Sequence, residues 1–229
     1  MGGDLAPLIA VVGSDGSGKS TLSADLLAHI QQSRAAESGY LGLGSGEQGR
    51  RIGRWPVIGP PLHRFLDGIA DRLREPGEPI PGYLAARYAL NKSRKRRARF
   101  DELLAQRRAG KVIVTDRYPQ VEVPGLHDGP ILAGIATSPP LAAMQAAERA
   151  LYAEMAAYRP TLVIRLHVDV DTVMARKPDH NRDLIKRKVE TVPLLAFNGA
   201  PIVDIDATMP YADELALATA AVAGALGSA

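Results

Sequence analysis

The chain has 229 residues, the upper end of one ordinary domain and enough to bury a sizeable core. An apolar fraction of 46% and a charged fraction of 23% are those of a soluble globular protein, and a formal net charge of +3 is too small to argue for nucleic acid. The absence of cysteine excludes disulfides, thiolate zinc sites and cysteine nucleophiles together, and fits a cytoplasmic protein. No apolar run approaches the ~20 residues that span a bilayer. Met1-Gly2-Gly3-Asp4 lacks the basic and apolar regions of a signal peptide, and Ala6 stands where myristoylation asks for Ser or Thr.

The first predicted element is a buried parallel strand, Leu8-Ile9-Ala10-Val11-Val12, short, apolar and β-branched. It runs into Gly13-Ser14-Asp15-Gly16-Ser17-Gly18-Lys19-Ser20-Thr21, which fits the phosphate-loop pattern G-x-x-x-x-G-K-S/T at every fixed position. Leu22, Leu26, Leu27 and Ile30 then recur at helical spacing. A glycine-rich turn between strand and helix lets backbone N–H groups close around an anionic phosphate, and the helix N-terminus adds partial positive charge. Lys19 is placed to reach the β- and γ-phosphates, and the Ser20 hydroxyl to ligate Mg²⁺. The expectation is a site for a nucleoside triphosphate.

Farther along, Gly39-Tyr40-Leu41-Gly42-Leu43-Gly44 reads as a short second strand, with Glu47 just beyond it. Residues 50–82, with Arg50, Arg51, Arg54 and five prolines between 60 and 81, read as an acceptor-side insert with one helix at Leu62 to Leu73. A long helix is expected from Tyr83 to Gly110. Its basic run, Lys92, Arg94, Lys95, Arg96, Arg97 and Arg99, reads as a solvated face with one or two arginines turned toward a phosphorylated ligand. No aromatic residues interleave as stacking platforms for nucleic acid.

Lys111 to Thr115 reads as the third strand, ending in Asp116-Arg117-Tyr118. An aspartate there holds the Mg²⁺ shell in phosphate-loop proteins, and a neighbouring guanidinium suits a phosphate. The proline- and glycine-punctuated stretch 119–140 carries Glu122, His127 and Asp128, each read as an ordinary surface residue. A helix from about Leu141 to Tyr158 precedes a fourth strand, Thr161 to Val168, where His167 reads as structural. The basic segment 176–190 has the composition of a lid closing over phosphates. A fifth strand near Ala200 to Thr208 and an amphipathic helix close the chain, with no repeat or linker: one α/β domain over 1–229.

In this order the motifs resemble the thymidylate kinase group of nucleoside monophosphate kinases. The likeness rests on the phosphate loop with its acidic Asp15, on Ala85-Ala86-Arg87 leading to Asp116-Arg117-Tyr118, on Asp169 to Arg176, and on Ile205-Asp206-Ala207-Thr208. It implies a P-loop NTPase three-layer fold: a five-stranded parallel sheet in order 2-3-1-4-5, flanked by helices and carrying a basic lid. It further implies ATP and Mg²⁺ as cofactors, with the metal at Ser20 and Asp116. Asp15, Arg87 and Arg117 would hold the acceptor, Arg176 and Arg182 would steady the moving phosphoryl group, and Asp206 and Ala207 would pack against adenine. Two departures stand out. Arg74-Glu75-Pro76-Gly77 lies too far along to match the family's Arg-Glu-Pro-Gly and is set aside. After Tyr118 the family's thymine-reading stretch is replaced by Pro119-Gln120-Val121-Glu122-Val123-Pro124-Gly125.

The first reading is therefore a nucleoside monophosphate kinase, whose anionic acceptor needs no general base. The second is a kinase acting on a hydroxyl of a nucleoside, sugar or other metabolite, which needs a carboxylate within reach. Glu47 is positioned like the general base of the related deoxynucleoside kinases, and Asp15 is the other candidate. The third is a nucleotide-dependent switch, although no Asn-Lys-x-Asp or Thr-Lys-x-Asp guanine-reading motif is present. A membrane or nucleic-acid partner is not expected; a homodimer stays open.

Overall fold

The computed structural model describes residues 5–43 and 68–227. Five strands form one all-parallel sheet in the order β2-β3-β1-β4-β5. They are β1 (Leu8–Gly13), β2 (Ala36–Ser38), β3 (Val112–Thr115), β4 (Leu162–His167) and β5 (Ile202–Asp206). β1 is central, pairing Leu8 with Ile113 on one side and Ile9 with Leu162 on the other. This is the expected P-loop NTPase arrangement.

The period of two in a strand explains the layering. Ile9 and Val11 point to one face of the sheet, where they pack with Leu22, Leu26 and Ile30 of α1 (Lys19–Gln31). Ala218 and Val222 of α6 (Tyr211–Gly227) join the same cluster. Leu8, Ala10 and Val12 point to the opposite face, against Phe100 and Leu104 of α2 (Tyr83–Arg108) and Tyr152 and Met155 of α3 (Pro139–Ala156). Each β1 residue from Leu8 to Val11 is fully buried because helices cover both faces. A third cluster, with Leu73, Ile80, Ala86 and Leu132, lies under the chain leading into α2.

Two shorter helices follow β4. Asp169 caps α4 (Val170–Arg176), its carboxylate accepting from the Thr172 N–H at 2.7 Å. Asn181 caps α5 (Arg182–Thr191) in the same way, accepting from the Leu184 N–H at 3.0 Å. A helical segment also covers 68–74. No described helix is long and apolar enough to cross a membrane.

The second strand is earlier than the glycine pattern suggests. It is Ala36–Ser38, and the expected stretch from Gly39 is irregular. The Gly39 N–H still reaches the Val114 carbonyl at 2.8 Å, but a Cβ there would meet Ile113 and Leu103 side-chain atoms at 2.8 Å. Gly39 thus allows a close crossing, after which Tyr40 turns out to solvent, 55% exposed. Residue 44 of that stretch, with Glu47, Arg50, Arg51 and Arg54, lies outside the described residues.

Candidate active site

The site is built at the C-terminal edge of the sheet, where the strand order reverses beside β1. Gly13 ends β1 at φ 152°, and a Cβ there would stand 2.7 Å from the Leu166 carbonyl and 2.8 Å from Ser17 Oγ. Only glycine lets the chain turn that close to β4. Gly18, at φ 93°, makes the final left-handed step before α1 begins at Lys19. Ser17 Oγ is buried without a hydrogen-bond partner, an unmade bond inside a loop shaped to hold an anion.

Lys19 Nζ donates to the Ser14 carbonyl at 2.6 Å, which folds the side chain back over its own loop. Burial pushes its pKa down to about 8, against the attraction of Asp15, Asp128 and Asp116. Ser20 Oγ donates to Asp116 Oδ2 at 2.7 Å, so the first turn of α1 and the end of β3 bring together the two oxygens expected at a metal. Among the described residues no group of three or more His, Asp or Glu is arranged around a common point. Ser20 and Asp116 are oxygen donors of the kind that Mg²⁺, a hard cation, prefers, and could hold it here.

Arg117 follows Asp116 and faces Asp128, with Nη1 at 3.3 Å from Oδ1. Asp128 also accepts from Arg96, whose Nη2 lies 2.5 Å from Oδ1 and whose Nη1 lies 2.9 Å from the Asp128 carbonyl. Arg96 is fully buried, with Nη1 also 3.1 Å from the Tyr152 hydroxyl. Burial alone would raise the Asp128 carboxyl; Arg96 and Arg117 hold it below the usual carboxylate range. The basic run of α2 is thus not one solvated face: Arg96 turns inward, to a carboxylate rather than toward a ligand.

α5 closes the other side. Lys188 pairs with Asp15 of the phosphate loop, and Arg187 Nη1 lies 2.6 Å from Glu75 Oε2. Burial favours the neutral Asp15 carboxyl, but Lys188, with Lys19 and Arg117 farther off, holds its pKa well below the ordinary value. Thr191 Oγ1 meets His127 Nε2 at 2.8 Å. Between α5, the phosphate loop and the 71–75 and 125–131 stretches lies a cavity of about 930 Å³, the size of a small-molecule site.

Burial, with the Lys188 ammonium adding to it, pushes the His127 pKa down to about 4. An unfolded histidine titrates near 6.5, so between these values the unfolded chain binds the proton and the folded chain does not. Stability should fall as pH drops from about 6.5 to about 4, by about 3 kcal/mol from this residue. Denaturant titrations across that window check it: His127→Gln should flatten the slope relative to the unaltered chain. Equal slopes would contradict it.

The predicted residues are not all brought together. Asp15, Lys19 and Arg117 line the cavity, and Ser20 and Asp116 meet beside it. Arg87 is exposed on α2 and does not line it. Arg176 bridges two loops instead, donating to the Gly16 carbonyl at 3.0 Å and the Ala207 carbonyl at 2.9 Å. Arg182 pairs with Asp171 at 2.6 Å on the exposed side of α5. Asp206 turns its carboxylate onto Thr208, Nearby Ala207 is buried. His167 pairs with Asp204 on the sheet surface. Arg74, Glu75, His127, Asp128, Arg187 and Lys188 also line the cavity: the sequence sets the first two aside and reads His127 and Asp128 as ordinary surface residues, whereas the fold turns them inward. The signals were the Arg-Glu-Pro-Gly string and the consecutive glycine turns around His127-Asp128; neither shows from spacing which side of the fold it faces.

No protein-family model matches the chain. It is similar to the uncharacterized ATP-binding protein YghS of Escherichia coli (strain K12), 41% identical over 210 residues that cover 91% of this chain and 88% of the relative. It is also similar to the uncharacterized ATP-binding protein YghR of the same strain, 39% identical over 218 residues, covering 94% and 86% respectively. With such identity across nearly the whole of both partners, this chain belongs to the family of YghS and YghR.

Proposed function

We propose that this protein is an ATP-dependent phosphotransferase that moves the γ-phosphoryl group to a small molecule held in the cavity beside the phosphate loop. One observation carries the reading: Lys19 lines a 930 Å³ cavity walled by charged side chains of α5, and a narrow pocket joins the same lysine to Asp116, the partner of Ser20. A nucleotide switch needs the phosphate loop but not such a chamber next to it. The relatives' description as ATP-binding proteins supports ATP as the donor.

In phosphoryl transfer the protein mainly positions reactants and neutralises charge. The loop N–H groups and Lys19 would hold the triphosphate, and Arg117 would face the transferring group. Ser20 and Asp116 would hold Mg²⁺, whose positive charge would offset that of the phosphates. Arg187 and Lys188, each now paired to a carboxylate across the cavity, would be the lid cations, a role the sequence assigns to Arg176 and Arg182. A nucleoside monophosphate, the acceptor implied by the thymidylate kinase resemblance, would have to be held without Arg87.

The test is calorimetric titration with Mg²⁺-ATP, followed by ADP measurement with and without added acceptors. Acceptor-dependent ADP release is the expected result. Slow ADP release that no acceptor changes would sink the transferase reading in favour of a switch.

A further inference from the structure

The stretch after Tyr118 is an over-determined structure facing the cavity. His127 and Asp128 both sit in the left-handed region, at φ 46° and 65°, after Gly125 at φ 84°. Such backbone is strained for a non-glycine residue and persists only where the surroundings enforce it. Two fully buried side chains enforce it here. Gln120 Nε2 donates to the Val123 and Leu126 carbonyls at 2.9 and 2.8 Å, and its Oε1 accepts from the Val123 N–H at 2.8 Å. Arg96 grips both the carbonyl and the carboxylate of Asp128.

We propose, on the basis of the phosphotransferase reading above, that Asp128 is the carboxylate that receives the acceptor's proton, and that the acceptor is a small polyhydroxylated compound phosphorylated on a hydroxyl. Asp128 lines the large cavity and also the narrow pocket it shares with Lys19, Asp116 and Arg117, where donor and acceptor must meet. Its side chain is 15% exposed. Oδ1 takes the shorter contacts from Arg96 and Arg117, while among the described residues Oδ2 has only the 3.5 Å contact to Arg117. One oxygen is therefore held and the other keeps its capacity to accept.

The charges around the cavity agree. Arg117, Arg187 and Lys188 each already face a carboxylate of the same cavity: Asp128, Glu75 and Asp15. Asp71 and Asp183 line it as well, alongside Lys19 and Arg74, so carboxylates and cations balance around the cavity. Ionised carboxylates only accept hydrogen bonds, which complements hydroxyl donors, and a lining without surplus positive charge is poorly matched to a second phosphate group. A phosphate acceptor would need no base and would meet Asp128 as a like charge.

In the step itself, the acceptor hydroxyl oxygen forms a bond to the γ-phosphorus. The bond from that phosphorus to the β–γ bridging oxygen breaks with its electron pair leaving on ADP, and the hydroxyl proton passes to Asp128 Oδ2. In kinases an aspartate accepts the proton of the substrate hydroxyl in a loose transition state, so the carboxylate need not be strongly basic.

The experiment uses the full chain with Mg²⁺-ATP and a panel of glycerol, pentitols, hexoses, inositol and nucleosides, set against nucleoside monophosphates. Products are identified by mass spectrometry. A phosphate ester of a hydroxyl compound is expected. Asp128→Asn should lower kcat for it by about 10²- to 10⁴-fold while Mg²⁺-ATP affinity, read by calorimetry, stays within about twofold. If Asp128→Asn melts early, Asp128→Glu, which keeps a charge for Arg96 but displaces the oxygen, should lose kcat in the same way. Phosphoanhydride products alone, unchanged kcat in both variants, or no hydroxyl compound turned over by a chain that binds ATP would each overturn the proposal. Failure to bind ATP would instead remove the phosphotransferase reading on which it rests.

Discussion

Lys19→Ala should lower ATP-dependent phosphoryl transfer by about 10³-fold or more and leave the protein folded. The ammonium has no apolar packing role; its hydrogen bond goes to the Ser14 carbonyl of its own loop. Its charge matters most when negative charge redistributes over the moving phosphoryl group, so the loss should fall on kcat more than on nucleotide affinity. Removal of a single preorganised donor typically costs about 10²- to 10³-fold, and a full positive charge adds to that. The stability effect has the opposite sign. Burial lowers the Lys19 pKa to about 8, which means that the folded state holds the charged form less well than the unfolded chain does. The variant should therefore melt no lower than the unaltered protein, with a gain of order 1 kcal/mol. A coupled ADP assay and a thermal melt on the same preparation check both halves. Full activity in Lys19→Ala would remove the phosphate-loop assignment, and a collapse in melting temperature would show that the loop is held by this lysine.

Arg96→Met should be the most damaging single change to stability outside the sheet. Arg96 is fully buried, lies over the Tyr152 ring at 5.7 Å, and satisfies the carbonyl and carboxylate of Asp128. Methionine keeps much of the stem packing but leaves the carboxylate with only Arg117. Breaking a buried pair from one side costs about 3–5 kcal/mol, because the abandoned charge stays desolvated. For a chain of this size that is a fall of roughly 6–20 °C in melting temperature. The double variant Arg96→Met/Asp128→Asn should recover part of the loss, since the stranded charge is gone. A double variant as unstable as the sum of its parts would mean that Arg96 acts through packing alone. Acceptor turnover should fall in Arg96→Met at temperatures where the protein is still folded, as the left-handed turn at His127 and Asp128 loses one of its two clamps.

Arg96 also marks the boundary of what the chain reveals before it folds. Helical periodicity predicts a helix from Tyr83 to Gly110, observed as α2, and identifies a run of cations on it, but which of them turns inward depends on what packs there. Asp128 supplies the reason, and it is 32 residues away. The same holds for Arg74 and Glu75. Their string matched a familiar motif at an unfamiliar distance, and only the cavity shows that they stand opposite α5. Arg176 and Arg182 illustrate the converse. Composition identifies a basic lid, while the fold ties Arg176 to the Gly16 and Ala207 carbonyls and turns Lys188 and Arg187 toward the cavity.

Spacing alone reveals the features whose causes are local: the β1–phosphate loop–α1 unit, four of the five strands, the helix periods and the aspartate at the end of β3. Glycine at Gly13 and Gly18, a lysine at the helix start and alternating apolar faces act within a few residues, so spacing is enough to read them. Tertiary structure alone decided the cavity, the pairing of each lid cation with a carboxylate, and the placing of Asp128 beside Lys19. Those depend on side chains from distant elements sharing one desolvated space, where the partner of a charge, more than its own identity, sets what it can do.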